Sequence, residues 1–159
     1  NPVYIVHWKA VWQHDVDGER FDIQHQHPAF HSDTYPFATG GMPYPVENAF
    51  ESANARRYLP AVAADNPVSK LHRVWPVEEL HAHGWGSLAS QQFQDARGRG
   101  RYVDGKWQVV LAVPRVSEDP ANPTVGAGDL QMAFALWEGG TGNVGGRKHW
   151  APFQKVVIP

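Results

Sequence analysis

The stretch Arg99-Gly-Arg-Tyr-Val-Asp-Gly-Lys-Trp-Gln-Val-Val-Leu-Ala-Val113 decides the fold class. Asp104-Gly105 is a two-residue turn that accepts the positive φ angles of a tight hairpin. It joins a strand over Arg99–Tyr102 to a strong one over Lys106–Val113. Alternation in the second strand puts Trp107, Val109, Leu111 and Val113 on one face. Working outward, the same pattern recurs. Val3 to Trp12 alternates as a strand, and Asp17-Gly18 reads as a second hairpin turn leading to a return strand over Arg20–Gln26. Asp129 to Trp137 is a further strand with Leu130, Met132, Phe134 and Leu136 in phase. Phe153 to Ile158 forms the last strand. Proline- and glycine-rich loops fill 28–46, 60–69 and 117–128. Two short helices are expected, one over "PVEEL" (76–80), with proline first and acids in the first turn, and one over Glu47–Leu59. Strands with tight turns and long loops predict a mainly β chain, an antiparallel immunoglobulin-like β-sandwich forming a single domain over 1–159.

Composition narrows the chemistry. The chain has 159 residues, 42% of them hydrophobic, and a formal charge of -2. That length suffices for a core, and that charge argues against a nucleic-acid partner. No run of 18 apolar residues spans a membrane. Asn1-Pro2-Val3 leads into a strand pattern rather than a secretory leader. There is no cysteine, which excludes disulfides, thiolate metal sites and a covalently attached c-type haem within these residues.

The chain holds nine histidines and two methionines. His25/His27 and His81/His83 are H-x-H pairs, and with His31 they could form a zinc or copper site; ordinary surface histidines fit them too. No hydrolase motif is present. "GTGNVGG" (140–146) resembles a dinucleotide loop, but the helix that should follow is replaced by "RKHWAPF". Met132 falls in phase with an apolar strand face and reads as core. Met42 sits in "TGGMPYPV" (39–46), outside any period, on a backbone that can hold a thioether while something large approaches. Leu136 to Trp150 carries five glycines and delivers Arg147-Lys148 beside His149-Trp150. Read from composition alone, Lys148 is a solvated lysine; read from its setting, it reaches a fixed point in a pocket.

Three stretches occur in order: "VEELHAHGWGSLASQ" (77–91), "GRGRYVDGKWQVVLAVPRV" (98–116) and "MAFALWEGGTGNVGGRKHW" (132–150). Together they resemble the haem-binding gamma-subunit family of ethylbenzene dehydrogenase, with its relatives from dimethyl sulfide dehydrogenase, selenate reductase and chlorate reductase. The resemblance covers Val77 to the C-terminus. It implies a β-sandwich holding one non-covalent haem b between a lysine and a methionine. The family lysine, in a G-R-K motif, maps onto Lys148. The family methionine maps best onto Met42, in "GGMPYPVEN" (40–48). Arg147, Trp137 and Trp150 become candidate pocket residues, the tryptophans equally readable as core. A lysine binds iron only as the neutral amine, and deprotonating a solvated ammonium at neutral pH costs about 4–5 kcal/mol. Burial lowers that cost and the metal bond offsets the rest. The resemblance further implies an electron-transfer rather than catalytic role. It implies partners in the iron–sulfur and molybdenum subunits of an oxidoreductase, a c-type cytochrome as a further candidate, and a periplasmic location. Two other classes fit the composition: a carbohydrate-binding β-sandwich using tryptophan platforms, and a His-ligated zinc or copper protein.

Overall fold

The structure is a computed structural model. It describes residues 2–18, 27–29, 60–64, 66, 73–120, 122–126 and 128–159. The expected return strand over Arg20–Gln26, the helix over Glu47–Leu59, and His25, His31 and Met42 lie outside the described residues. The described chain is mainly β, as expected, and every strand pairing is antiparallel. Two compact units divide it, Asn1–Asn122 and Pro123–Pro159.

In the first unit, β1 (Val3–Trp8) pairs with β2 (Val77–Ala82), and β2 with β3 (Ala89–Ser90). A hairpin of β4 (Arg97–Val103) and β5 (Lys106–Ala112) completes it. Its turn is the predicted one: Asp104 and Gly105 both have positive φ, 50° and 74°. The hairpin packs on the three-stranded sheet through its glycines. A Cβ on Gly100 would lie 2.5 Å from Cζ2 of Trp8, and one on Gly98 2.6 Å from Cγ2 of Val77. Trp107 meets the Trp8 ring edge-on at a centroid distance of 4.9 Å. The expected inward face is thus real but only partly covered, since Trp107, Val109, Leu111 and Val113 all stay exposed. Gly100→Ala is expected to cost about 1–3 kcal/mol by overpacking against the Trp8 indole. Urea denaturation checks this, and an unchanged midpoint would mean the hairpin does not rest on Trp8.

Three expectations are corrected. The first strand ends at Trp8, and α1 (Ala10–Asp17) follows. Asp17-Gly18 is not a hairpin turn: Gly18, at φ 86°, is the left-handed cap of α1. The same dipeptide serves both ends because each needs positive φ at glycine. The helix forms because it brings Trp12 and Gln13 inward. Lys9 Nζ and Arg73 Cζ each lie 4.2 Å from the Trp12 ring, stacking favourable to a buried indole between cations. Gln13 Oε1 accepts from Gly100 N–H at 2.7 Å, tying α1 to β4. Nearby, burial, and secondarily Lys9, lowers the His7 imidazole below its ordinary pKa, with Glu78 opposing.

The second correction concerns "PVEEL", which is strand rather than helix. Its acids are not solvated first-turn residues. Glu78 and Glu79 are buried, alongside Val77 and Leu80. Sheet pairing on both sides outweighs local helix signals here. Third, the loop 60–69 contains a short helix, α2 (Pro60–Ala63).

Buried Glu79 is the hub of this unit. Tyr4 Oη donates to Oε1 at 2.5 Å and Ala96 N–H to Oε2 at 2.6 Å. Gln94 brackets its backbone: Gln94 Oε1 accepts from Glu79 N–H at 2.7 Å, and Gln94 Nε2 donates to Glu79 O at 2.9 Å. On the other face Ser90 Oγ donates to Glu78. Nothing in the residue types signalled this network, because two adjacent acids are normally solvated.

Candidate functional site

The second unit holds the lysine that the sequence singled out. β6 (Gly128–Met132) pairs with β9 (Gln154–Ile158), and Lys155 Nζ bridges to Asp129 at 2.6 Å across the outer face. The opposite face carries Leu130, Val156 and Ile158, each half-buried. The strand expected over Asp129–Trp137 is two strands. It breaks at Ala133-Phe134, and β7 (Ala135–Leu136) pairs with a different partner, β8 (His149–Trp150). Ala151 N–H then donates to Phe134 O at 2.8 Å, continuing the ladder. Met132 lies at the end of β6 opposite Gln154, and is 37% exposed. It is not a core residue. The periodic pattern placed it in phase with Leu130, but among the described residues it stays exposed.

The segment between β7 and β8 is folded by its own polar groups. Glu138 is the organiser: its carbonyl accepts from Thr141 N–H at 3.2 Å, Asn143 N–H at 3.1 Å and Thr141 Oγ1 at 3.0 Å. Its carboxylate accepts from Gly140 N–H at 3.2 Å. A single 3₁₀ turn, Gly139–Thr141, results. Gly142 and Gly145 then take positive φ, 69° and 58°, where L side chains are strained. Trp137 Nε1–H donates to Gly145 O at 3.0 Å, folding the loop back over the indole. Gly139 and Gly146 differ from these two. Neither has positive φ, and a Cβ on either would meet nothing within 4 Å.

This loop returns the chain so that Lys148 meets Trp137, with Nζ 5.1 Å from the ring centroid. The register explains the meeting. Ala135 faces Trp150 across the pair, and side chains alternate with period two. Lys148, two residues before Trp150, and Trp137, two after Ala135, therefore come to the same side. The structure brings together Lys148 and Trp137, with Trp150 on their face. Arg147 begins the return, its N–H donating to Val144 O at 3.0 Å. The arrangement offers a cationic or, once deprotonated, a ligating nitrogen beside open aromatic surface. It is not the enclosed position expected for the lysine: Lys148, Trp137 and Trp150 are all exposed. None of the described residues of 123–159 is buried. Phe134, Leu136, Val144, Trp150 and Phe153 each expose more than half their surface.

Of the two histidine pairs only His81/His83 lies wholly within the described residues. The His81 and His83 rings lie 5.8 Å apart at the end of β2. Among the described residues no three His, Cys, Asp or Glu side chains gather as metal ligands. No described helix is long and apolar enough to cross a membrane. No known protein family matches the chain, and no curated protein matches it.

Proposed function

We propose that this chain is a haem b electron-transfer domain, with Lys148 as one axial ligand and Met42 as the other. The observation that carries the reading is the convergence of Lys148, Trp137 and Trp150 on one side of the β7–β8 pair. Its setting supports it: a short unit without cysteine, whose described side chains are nowhere buried. Units this small seldom stand on a core of their own and commonly need a bound group or a partner. Trp137 and Trp150 expose aromatic surface on the side of Lys148, the kind that a large, flat, apolar group covers. Gly139 and Gly146, which neither conformation nor crowding among the described residues explains, suit a close approach by such a group. The residues present therefore fit one side of a haem site. Haem would supply a one-electron iron couple.

The chain's own residues have definite tasks in this reading. Trp137 holds Lys148 by its ring and is itself held by Gly145. Covering that surface removes water from the amine, which favours the neutral, ligating form. A haem held by both residues would have no place for substrate, so the role read here is relay rather than catalysis. Met42 is chosen on the resemblance alone, because the exposure of Met132 removes the contrast drawn from periodicity. Iron–sulfur and molybdenum subunits as partners, a c-type cytochrome as a further one, and a periplasmic setting all follow from the same resemblance.

A spectrophotometric titration with haem tests the proposal. Uptake is expected to saturate at about one haem per chain, and acid–acetone should strip all of it, since no cysteine can hold the vinyl groups. A chain that takes up none refutes the reading. One observation favours a second reading, a carbohydrate platform: Trp85 is fully exposed in the turn after β2. Saturable glycan binding that Trp85→Ala abolishes, in a chain that ignores haem, would establish it.

A further inference from the structure

We infer that one or two ordered water molecules are built into the Glu79 face of the β1–β2–β3 sheet, held by Gln91, Asn122 and His81. Glu79 sits opposite Val6, and His81 opposite Tyr4 and Ala89. Gln91 N–H donates to Glu79 O at 3.0 Å, continuing that register, so Gln91 falls across from Glu79. Residues directly opposite share a face, which puts Tyr4, Glu79, His81 and Gln91 on one side of the sheet. Asn122 joins them there, with Nδ2 3.4 Å from Glu79 Oε1.

Four buried polar atoms on this face have no protein partner among the described residues: Gln91 Nε2, Gln91 Oε1, Asn122 Oδ1 and His81 Nδ1. Gln91 is the telling one, being only 2% exposed with both ends of its amide unmatched. A buried amide left without bonds is costly, and native proteins rarely keep one. The neighbours cannot relieve it. The two protons of Gln94 Nε2 already go to Glu79 O and Gln91 O, at 2.9 Å each. Asn122 Nδ2 is committed to Ser117 Oγ at 2.9 Å and to Glu79. What remains is a set with both characters: the Gln91 amide N–H donates, while the Gln91 and Asn122 oxygens accept. Water satisfies both at once and needs only two to four such partners. A metal ion fits less well, because Tyr4 and Ala96 already donate to the Glu79 carboxylate. This inference is independent of haem.

A high-resolution crystal structure of the unaltered protein is the first test. Density for water is expected within about 3.2 Å of both Gln91 amide atoms. A larger bound molecule, a protein side chain or a bare amide there overturns the inference. The second test is Gln91→Met, which keeps the volume and removes both polar atoms. If water satisfies the amide, the folded-to-unfolded ratio in urea should fall about tenfold, by loss of its hydrogen bonds. Oxygen-17 relaxation dispersion should lose the contribution of at least one long-lived water. A variant more stable than the parent, or an unchanged dispersion amplitude, overturns it.

Discussion

Glu79→Ala is expected to lower the folding free energy by about 3–5 kcal/mol, among the largest losses from truncating a described residue of the first unit. Glu79 is 1% exposed, and its carboxylate accepts from the Tyr4 hydroxyl at 2.5 Å and the Ala96 N–H at 2.6 Å. Alanine leaves both donors without their carboxylate acceptor at a buried position and opens a cavity as well. Each orphaned buried donor costs roughly 1–3 kcal/mol. Tyr4 cannot relieve the loss by ionising. Burial, the larger cause and one that outlasts the loss of Glu79, pushes the phenol above its ordinary pKa, so Tyr4 stays a donor. Tyr4→Phe removes one donor and leaves the Ala96 bond, so it should cost less than half as much. Urea denaturation of both variants measures the difference. A loss below about 1 kcal/mol for Glu79→Ala would mean that the pair is worth little beyond its own desolvation.

Lys148→Ala is expected to leave the strand pairs in place and to change the iron chemistry. Lys148 contributes no ion pair among the described residues; its recorded contact is with the Trp137 ring, at 5.1 Å. Removing an exposed cation from an indole costs about 0.5–1 kcal/mol, too little to unfold the unit. The functional effect should be far larger. With the amine gone, a haem held as proposed would lose one ligand, and reduced iron would gain an open position. Carbon monoxide should then bind the variant readily, while the parent resists it. An identical carbon monoxide response in parent and variant would move the ligand elsewhere, with His149 the next candidate in the chain.

Much of this fold was legible because hairpin turns need particular residues. Asp104-Gly105 could be read directly, since both positions require positive φ and the flanks alternate. Asp17-Gly18 carried the same letters and meant something else. Only the burial of Trp12 and Gln13 decides for a helix, and that depends on Arg73 and Gly100, which are remote in sequence. "PVEEL" failed for a related reason. Its proline and acids satisfy a helix start locally, yet partners on both flanks and the Tyr4 and Ala96 donors make it a central strand. The break at Ala133-Phe134 was hidden because the apolar alternation runs straight through it. What changes there is the pairing partner, from 154–158 to 149–150, and pairing leaves no mark on period.

The site was legible in part. Glycine density and the G-R-K motif singled out Lys148, and two-residue alternation accounts for its meeting with Trp137. The Glu138 carbonyl that folds the intervening loop could not be read from residue type, because the group that organises is backbone. Exposure was also beyond reach. An apolar residue in phase, such as Met132 or Phe134, looks the same in sequence whether or not anything covers it.

The central claim is that Lys148 and a thioether hold one haem iron from both sides. The most direct measurement is the visible spectrum of the haem-loaded protein, oxidised and then reduced, with carbon monoxide added to the reduced form. A six-coordinate low-spin haem predicts a sharp Soret band, resolved α and β bands on reduction, and no change with carbon monoxide. A broad, high-spin spectrum that shifts at once with carbon monoxide would contradict the account.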